Sequence, residues 1–285
     1  MWQAVTDHIN SELESNFIIE HKVQLSGGNV NAAYHVTGNG QQFFVKINLR
    51  QQLEQFETEV LSLRTLQRTN CIRVPNPICS GLTVDKSFIV LEYLPFGGDT
   101  TNGWHNLAQD LAALHQQQQA VYGFDWDNSL ATNTQPNKWQ PNWSVFFSEQ
   151  RIGWQLQLLH EQGLGFGKVD EIVEKTRQRL QGYQPKASLL HGDFWRGNLG
   201  FIGDMPAIFD PACYYGDRET DIAFSTLFGR LPDAFYQSYQ QHYPLDKNYE
   251  QRKDLYNLYH VLNHANLFRG AYLIQAQELI KKLFY

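Results

Sequence analysis

Four residues with the right types for phosphate chemistry fall in one stretch of the sequence. His191, Asp193 and Asn198 lie in HGDFWRGN, between the apolar runs Leu189-Leu190 and Leu199-Gly200-Phe201-Ile202, and Asp210 follows Ala207-Ile208-Phe209. Loops bordered by short strands would hold an acid, an amide and a second acid close together. Asn and Asp oxygens are hard ligands of the kind Mg²⁺ takes beside substrate phosphates. Asp193 is then left to orient and deprotonate a hydroxyl. The first third of the chain offers the matching cation. Lys46 sits at the end of a strand-like run, FFVKIN, and Glu59 lies in the helix-like FETEVLSLRTL that follows. A lysine held by a helix carboxylate suits nucleotide phosphates. Upstream, Gly27, Gly28 and Asn29 lie in SGGNVN, where backbone N–H groups can approach a phosphate closely.

These residues need elements to position them. Phe17–Leu25, Ala32–Val36 and Phe43–Ile47 are short β-branched or aromatic runs and predict strands. Gly38-Asn39-Gly40 tolerates positive φ and predicts a hairpin turn. From Gln51 to Arg68 the period changes: Leu53, Phe56, Val60, Leu63 and Leu66 form one helix stripe. Glu59 precedes Leu63 and Leu66 by four and seven positions, so it, rather than Glu57, lies beside that stripe. Ile78–Thr83 and Ser87–Leu94 predict two more strands, and Pro95 and Gly97-Gly98 break the pattern. Helical periodicity then dominates, with Leu107, Leu111, Leu114 and His115 on one face, and Glu219 to Phe284 reads as helices. The run Gln116–Gln119 reads as a solvated helix end. The expectation is an α+β chain in two parts. Residues 1–94 form a small β-rich lobe with one main helix and a hinge at 92–94, and residues 95–285 form a larger helical lobe. A ligand belongs in the cleft between them.

Composition narrows the partners. With 42% hydrophobic residues in 285, the chain has ample material for a core, which excludes global disorder. A net charge of -6 argues against nucleic acid as the main partner. Mean hydropathy is -0.45 and no apolar run is long enough for a membrane helix, so no membrane partner is expected. Cys71, Cys79 and Cys213 show no spacing framework, which suggests reduced thiols in a cytoplasmic protein.

The order Gly-rich turn, Lys, Glu, connector, HGDxxxxN, Asp resembles the protein-kinase-like superfamily in its aminoglycoside phosphotransferase branch. More narrowly, the chain resembles the fructosamine kinase (ketosamine-3-kinase) family. HGDFWRGN is similar to that family's HGDLWxGN, with Phe194 where Leu is usual and Arg196 where a small residue is expected. SGGNVNAAY, FVKIN with FETE, TQPNKWQPNWSVFFSEQRI, DPACYYGDRETDIAFSTLFG and LYNLYHVLNHANLFRGAYL are further matches, running from residue 26 to 273.

The resemblance implies a bilobal protein-kinase-like fold and an ATP-dependent kinase acting on the 3-hydroxyl of ketoamines, of fructosamine or ribulosamine type. Loss of that phosphate would free the amine and undo glycation. It implies ATP and Mg²⁺ as cofactors, and a small ketoamine or a glycated amine or protein as partner. Asp193 would be the catalytic base, Asn198 and Asp210 the Mg²⁺ ligands, and Lys46 the phosphate-binding lysine with Glu59 as its ion-pair partner. Glu92, Tyr93 and Leu94 would be the hinge that holds adenine, and Asp221 and His191 would brace the catalytic loop. Trp195 could stack on the acceptor. Asp217 could meet a cationic amine, although a helix cap explains it nearly as well. Two rival readings stand beside this one: an alcohol kinase of the aminoglycoside or choline type, and a nucleotide-binding regulator without catalysis. Two tempting motifs fail. Gly163–Lys168 misses the P-loop pattern and reads as a connector, and His260 and His264 lack the HExxH context of a metal site.

Overall fold

Alternation along one strand decides where Lys46 points. The computed structural model describes residues 1–25 and 31–285; Gly27, Gly28 and Asn29 lie outside the described residues. An antiparallel sheet of order β1-β2-β3-β5-β4 occupies the first third. Its strands are β1 (His21–Leu25), β2 (Ala32–Gly38), β3 (Gln41–Leu49), β4 (Pro77–Leu82) and β5 (Lys86–Glu92). The β2–β3 turn has both Asn39 (φ 48°) and Gly40 (φ 73°) in the left-handed region, as a tight hairpin demands. Successive side chains alternate faces. Phe43, Val45 and Ile47 therefore join an outer cluster with Phe88 and Val90, which α1 (Trp2–Leu13) covers with Val5 and Ile9. Phe44 and Lys46 take the inner face. There α2 (Leu53–Thr69) packs Phe56, Val60, Leu63 and Leu66 with Ile89 and Leu91, in a core continuous with the helical part.

After residue 100 the chain runs through α3 (Thr101–His115), β6 (Gln118–Gln119), a hairpin β7 (Asn128–Leu130) and β8 (Asn133–Gln135), and α4 (Trp143–Phe146). A π-helical turn, Phe147–Gly153, leads into α5 (Trp154–Glu161) and α6 (Val169–Arg179). Then come β9 (Ala187–Leu190), the hairpin β10 (Leu199–Ile202) and β11 (Met205–Ile208), and β12 (Tyr214–Gly216). Helices α7 (Glu219–Phe224), α8 (Asp233–His242), α9 (Tyr249–Phe268) and α10 (Ala271–Phe284) complete it. The segment His191–Asn198 thus leaves β9 and enters β10, while Asp210 leaves β11.

Two expectations about elements need correction, and one gains a detail. Beside the main helix α2, Trp2–Leu13 is also helical and caps the outer sheet face. The strand foreseen over Phe17–Leu25 begins only at His21. Gln118 and Gln119 are not a solvated helix end: they pair with Ser188 and Ala187 as an edge strand.

Candidate active site

Lys46 is 4% exposed and its ammonium meets two carboxylates: Glu59 Oε1 at 2.7 Å and Asp210 Oδ1 at 2.5 Å. Burial alone would lower its pKa, but Asp210 and then Glu59 hold it above the ordinary lysine value. Burial works on Glu59 as well, raising its pKa against the pull of Lys46. Glu59 is the helix acid that reaches the lysine, whereas Glu57 is exposed. Asp210 itself has φ 57°, an uncommon backbone conformation for a non-glycine residue.

The loop after β9 is organised around the backbone. Asp221, on α7, accepts the His191 N–H at 2.8 Å on one carboxylate oxygen and the Gly192 N–H at 3.0 Å on the other. The His115 ring, 3.2 Å away, donates to the same carboxylate through Nε2, while its Nδ1 lies 2.7 Å from the Tyr239 hydroxyl. Gly192 has φ 82°, and a Cβ there would lie 1.9 Å from the Ala212 carbonyl oxygen, so only glycine fits. His191 Nδ1 accepts the Asp193 N–H at 3.2 Å, which leaves Nε2 protonated to donate to the Phe209 carbonyl at 3.0 Å. Burial lowers the pKa of His191, so it is a neutral loop brace.

Asn198 closes the loop. Its Nδ2 donates to Asp193 Oδ2 at 2.7 Å and to the Asp193 carbonyl at 2.9 Å, and its own carbonyl accepts the Phe209 N–H at 3.1 Å. Asp193 is pushed up to about 8, chiefly by burial. The Asn198 bond works against that rise, the like charges of Asp210 and Asp221 add to it, and Lys46 opposes it. Lys46, Asp193, Asn198 and Asp210 therefore belong to one electrostatic neighbourhood, although they come from separate elements.

The remaining candidates divide. Glu92 ends β5, and Tyr93 and Leu94 follow it; the Glu92 carboxylate takes Arg73 and the Asn76 N–H, and the Tyr93 ring stacks on His35 at 3.6 Å. Phe194 is fully buried against Phe235. Arg196 turns to solvent, pairing with Asp99 at 3.2 Å and lying over the Trp104 ring. Trp195 is half-buried, and its indole covers Gly197 so closely that a Cβ there would lie 2.4 Å away. Its ring meets Phe228 at 6.0 Å, and Phe228 in turn adjoins His264 and Tyr272. Asp217 departs from the acceptor role. It is 1% exposed, with one carboxylate oxygen on the Tyr256 hydroxyl at 2.6 Å and the other on the Glu219 N–H at 3.0 Å. That leaves it a structural cap at the start of α7.

The fructosamine kinase family profile matches residues 1–285. The chain belongs to the fructosamine kinase family. It is 46% identical over 285 residues to a "Probable ketoamine kinase" of Vibrio parahaemolyticus, covering 99% of each chain. Identity to the "Probable ketoamine kinase" of Escherichia coli K12 is 44% over 284 residues, again with 99% of each covered. A crystal structure from Haemophilus somnus, named "Putative fructosamine-3-kinase", superposes with a TM-score of 0.95 at 38% identity, over 100% of this chain and 98% of that one. The aminoglycoside phosphotransferase APH(4)-Ia superposes with a TM-score of 0.60 at 15% identity, over 100% of each, which establishes a shared kinase-like fold. This fructosamine kinase family member is accordingly a phosphotransferase of the ketoamine kinase type. Among the described residues no helix is long and apolar enough to cross a membrane.

The sequence reading missed His115 and Tyr239 behind Asp221. Their signal was faint, since a histidine ending a leucine stripe looks like any helix terminus. It also missed the aromatic residues beyond Trp195, although His264 had been singled out for its spacing from His260. His260 is buried and lies flat on Phe224 at 3.5 Å, and among the described residues no group of three or more His, Cys, Asp or Glu could hold a metal.

Proposed function

We propose that this site transfers the γ-phosphoryl group of ATP to the 3-hydroxyl of a ketoamine. The observation that carries the reading is the convergence of Lys46 on Glu59 and Asp210, beside Asp193 held by Asn198. Such an arrangement does little covalent work. It positions donor and acceptor and neutralises charge.

Each residue has a task. Lys46, fixed by Glu59, meets the nucleotide phosphates. The backbone of Glu92, Tyr93 and Leu94 takes the adenine edge. The donor set suits Mg²⁺: the Asn198 amide nitrogen is spent on Asp193, which leaves its Oδ1, and Asp210 keeps one oxygen beyond the Lys46 bond. Two protein oxygens are few, as expected where phosphates and water complete the shell. Bound there, Mg²⁺ supplies charge neutralisation on the phosphates. Asp193 orients the acceptor hydroxyl and takes its proton as the phosphorus–oxygen bond forms and ADP leaves. Trp195, with Phe228 behind it, stacks on the sugar, and the protonated amine meets aromatic faces rather than the carboxylate of Asp217.

The product explains the biological sense. Enolisation between the first two sugar carbons makes the 3-phosphate allylic, phosphate departs, and hydrolysis releases the amine without further help from the protein. The test is direct. With labelled ATP, a fructosamine or ribulosamine should yield ADP and a 3-phosphorylated ketoamine visible by ³¹P NMR. Turnover on choline or an aminoglycoside but no ketoamine would move the enzyme to the rival acceptor class. Tight ATP binding with no ADP release on any acceptor would make it a regulator.

A further inference from the structure

Arg151 is fully buried, sits on the π-helical turn, and among the described residues carries no carboxylate partner. Its guanidinium lies against the stacked rings of Phe146 (4.6 Å) and Tyr214 (4.0 Å), and among the described residues its Nε has no partner. An uncompensated buried charge is costly, so its hydrogen bonds are informative. They run to the carbonyls of Pro136 (2.5 Å) and Gln150 (3.2 Å) and to Asn137 Oδ1 (2.7 Å). From there a ladder continues in one direction. Asn137 Nδ2 donates to Asn128 Oδ1 at 3.0 Å, and Asn128 Nδ2 donates to the Cys213 carbonyl at 2.8 Å. Gln135 Nε2 donates both to Asn128 Oδ1 (2.7 Å) and to the Ala212 carbonyl (3.0 Å), while its Oε1 accepts the Tyr259 hydroxyl at 2.7 Å. The amide orientations are forced, because the reverse would set oxygen against backbone oxygen.

We propose that this ladder of buried amides, anchored on Arg151, positions Asp210. The segment from Asp210 to Cys213 belongs to no helix or strand, and Asp210 has φ 57°. One side of it is fixed by the Ala212 N–H, which donates to the His191 carbonyl at 2.9 Å. The ladder fixes the other side by filling the carbonyls of Ala212 and Cys213. Asn128, Gln135 and Asn137 are at most 3% exposed, so no water competes for those bonds. Partners one step behind a metal ligand typically tune affinity 10- to 100-fold. Asn128, Gln135, Asn137 and Arg151 are thus positioning residues. The inference rests on the reading of Asp210 as a metal ligand.

The experiment measures Mn²⁺ binding by electron paramagnetic resonance, with ADP present, and ADP binding without metal. Asn128→Leu and Gln135→Met should weaken Mn²⁺ by about 10- to 100-fold and leave metal-free ADP affinity within about twofold. The control is Asn263→Leu, which removes another buried amide, bonded to Asn133 and Gln155 and not to residues 210–213. It should lower the melting temperature and leave Mn²⁺ affinity unchanged. If Asn128→Leu does not fold, Asn128→Ser takes its place, and Arg151→Lys, which can still donate to Asn137, should keep part of the affinity. Ladder variants that bind Mn²⁺ like wild type, or an equal loss in the control, would overturn the proposal. Wild type that binds ADP but no Mn²⁺ would instead remove the metal reading of Asp210, and this proposal with it.

Discussion

Lys46 and Asp193 share one electrostatic neighbourhood, and their surroundings differ in kind. Lys46 is surrounded by opposite charge: two carboxylates reach its ammonium and keep it ionised despite burial. Asp193 has one amide donor and a weak pull from Lys46, and against these burial first and then like charges push it up to about 8. The surroundings of Lys46 are thus electrostatically complete in the folded chain, whereas those of Asp193 are short of positive charge. The difference teaches that this site keeps its strain at the proposed base, where loading with metal and nucleotide can relieve it.

The largest effect should come from removing the proposed base. Asp193→Asn should cut turnover by about 10²- to 10⁴-fold or more, measured as ADP release, with ATP binding retained. The same change should stabilise the unloaded protein. An acid whose folded pKa lies above its unfolded value of 3.8 favours folding least once it is ionised. The gain in melting temperature for the Asn variant should therefore grow from pH 4 to about pH 8 and then level off. A variant that is less stable than wild type at pH 8 would erase the contrast with Lys46.

Lys46→Met should act in the opposite sense on stability. It leaves Glu59 and Asp210 facing each other without their cation, at a cost of about 3 kcal/mol in urea unfolding, the low end for breaking a buried pair because the Asp210 side chain is 41% exposed. Affinity for ATP should fall as well. Unchanged unfolding would mean the ion pair contributes nothing. The smallest effect belongs to Arg196→Gln. Its pair with Asp99 is exposed on both sides, so stability should change by less than about 1 kcal/mol and turnover by less than about twofold. A large loss of turnover would bring Arg196 into the site and sharpen the map of the acceptor side.

Much of the site was legible because its chemistry is written in short, local spacings. HGDFWRGN sets loop, base and amide within one turn of chain, and the choice of Glu59 over Glu57 followed from the helix stripe alone. What stayed hidden depends on contacts between distant residues. For Asp217 the sequence offered both an acceptor contact and a helix cap, and only the Tyr256 hydroxyl closing over it separates the two. Arg151 reads as a surface arginine on a helix, and nothing local shows that Asn128 and Gln135 reach the chain at Ala212 and Cys213. Helix α1 was missed because only Val5 and Ile9 are buried, so its stability comes from the sheet it covers rather than from its own pattern.

The account stands most directly on the proton of Asp193. Calorimetry of Mg·ATP binding at pH 7, repeated in buffers of different ionisation heat, counts protons released on loading. A carboxyl near 8 in the free protein that ionises beside metal and lysine should release about one proton per site, and Asp193→Asn should release none. Equal proton counts for the two proteins would contradict it.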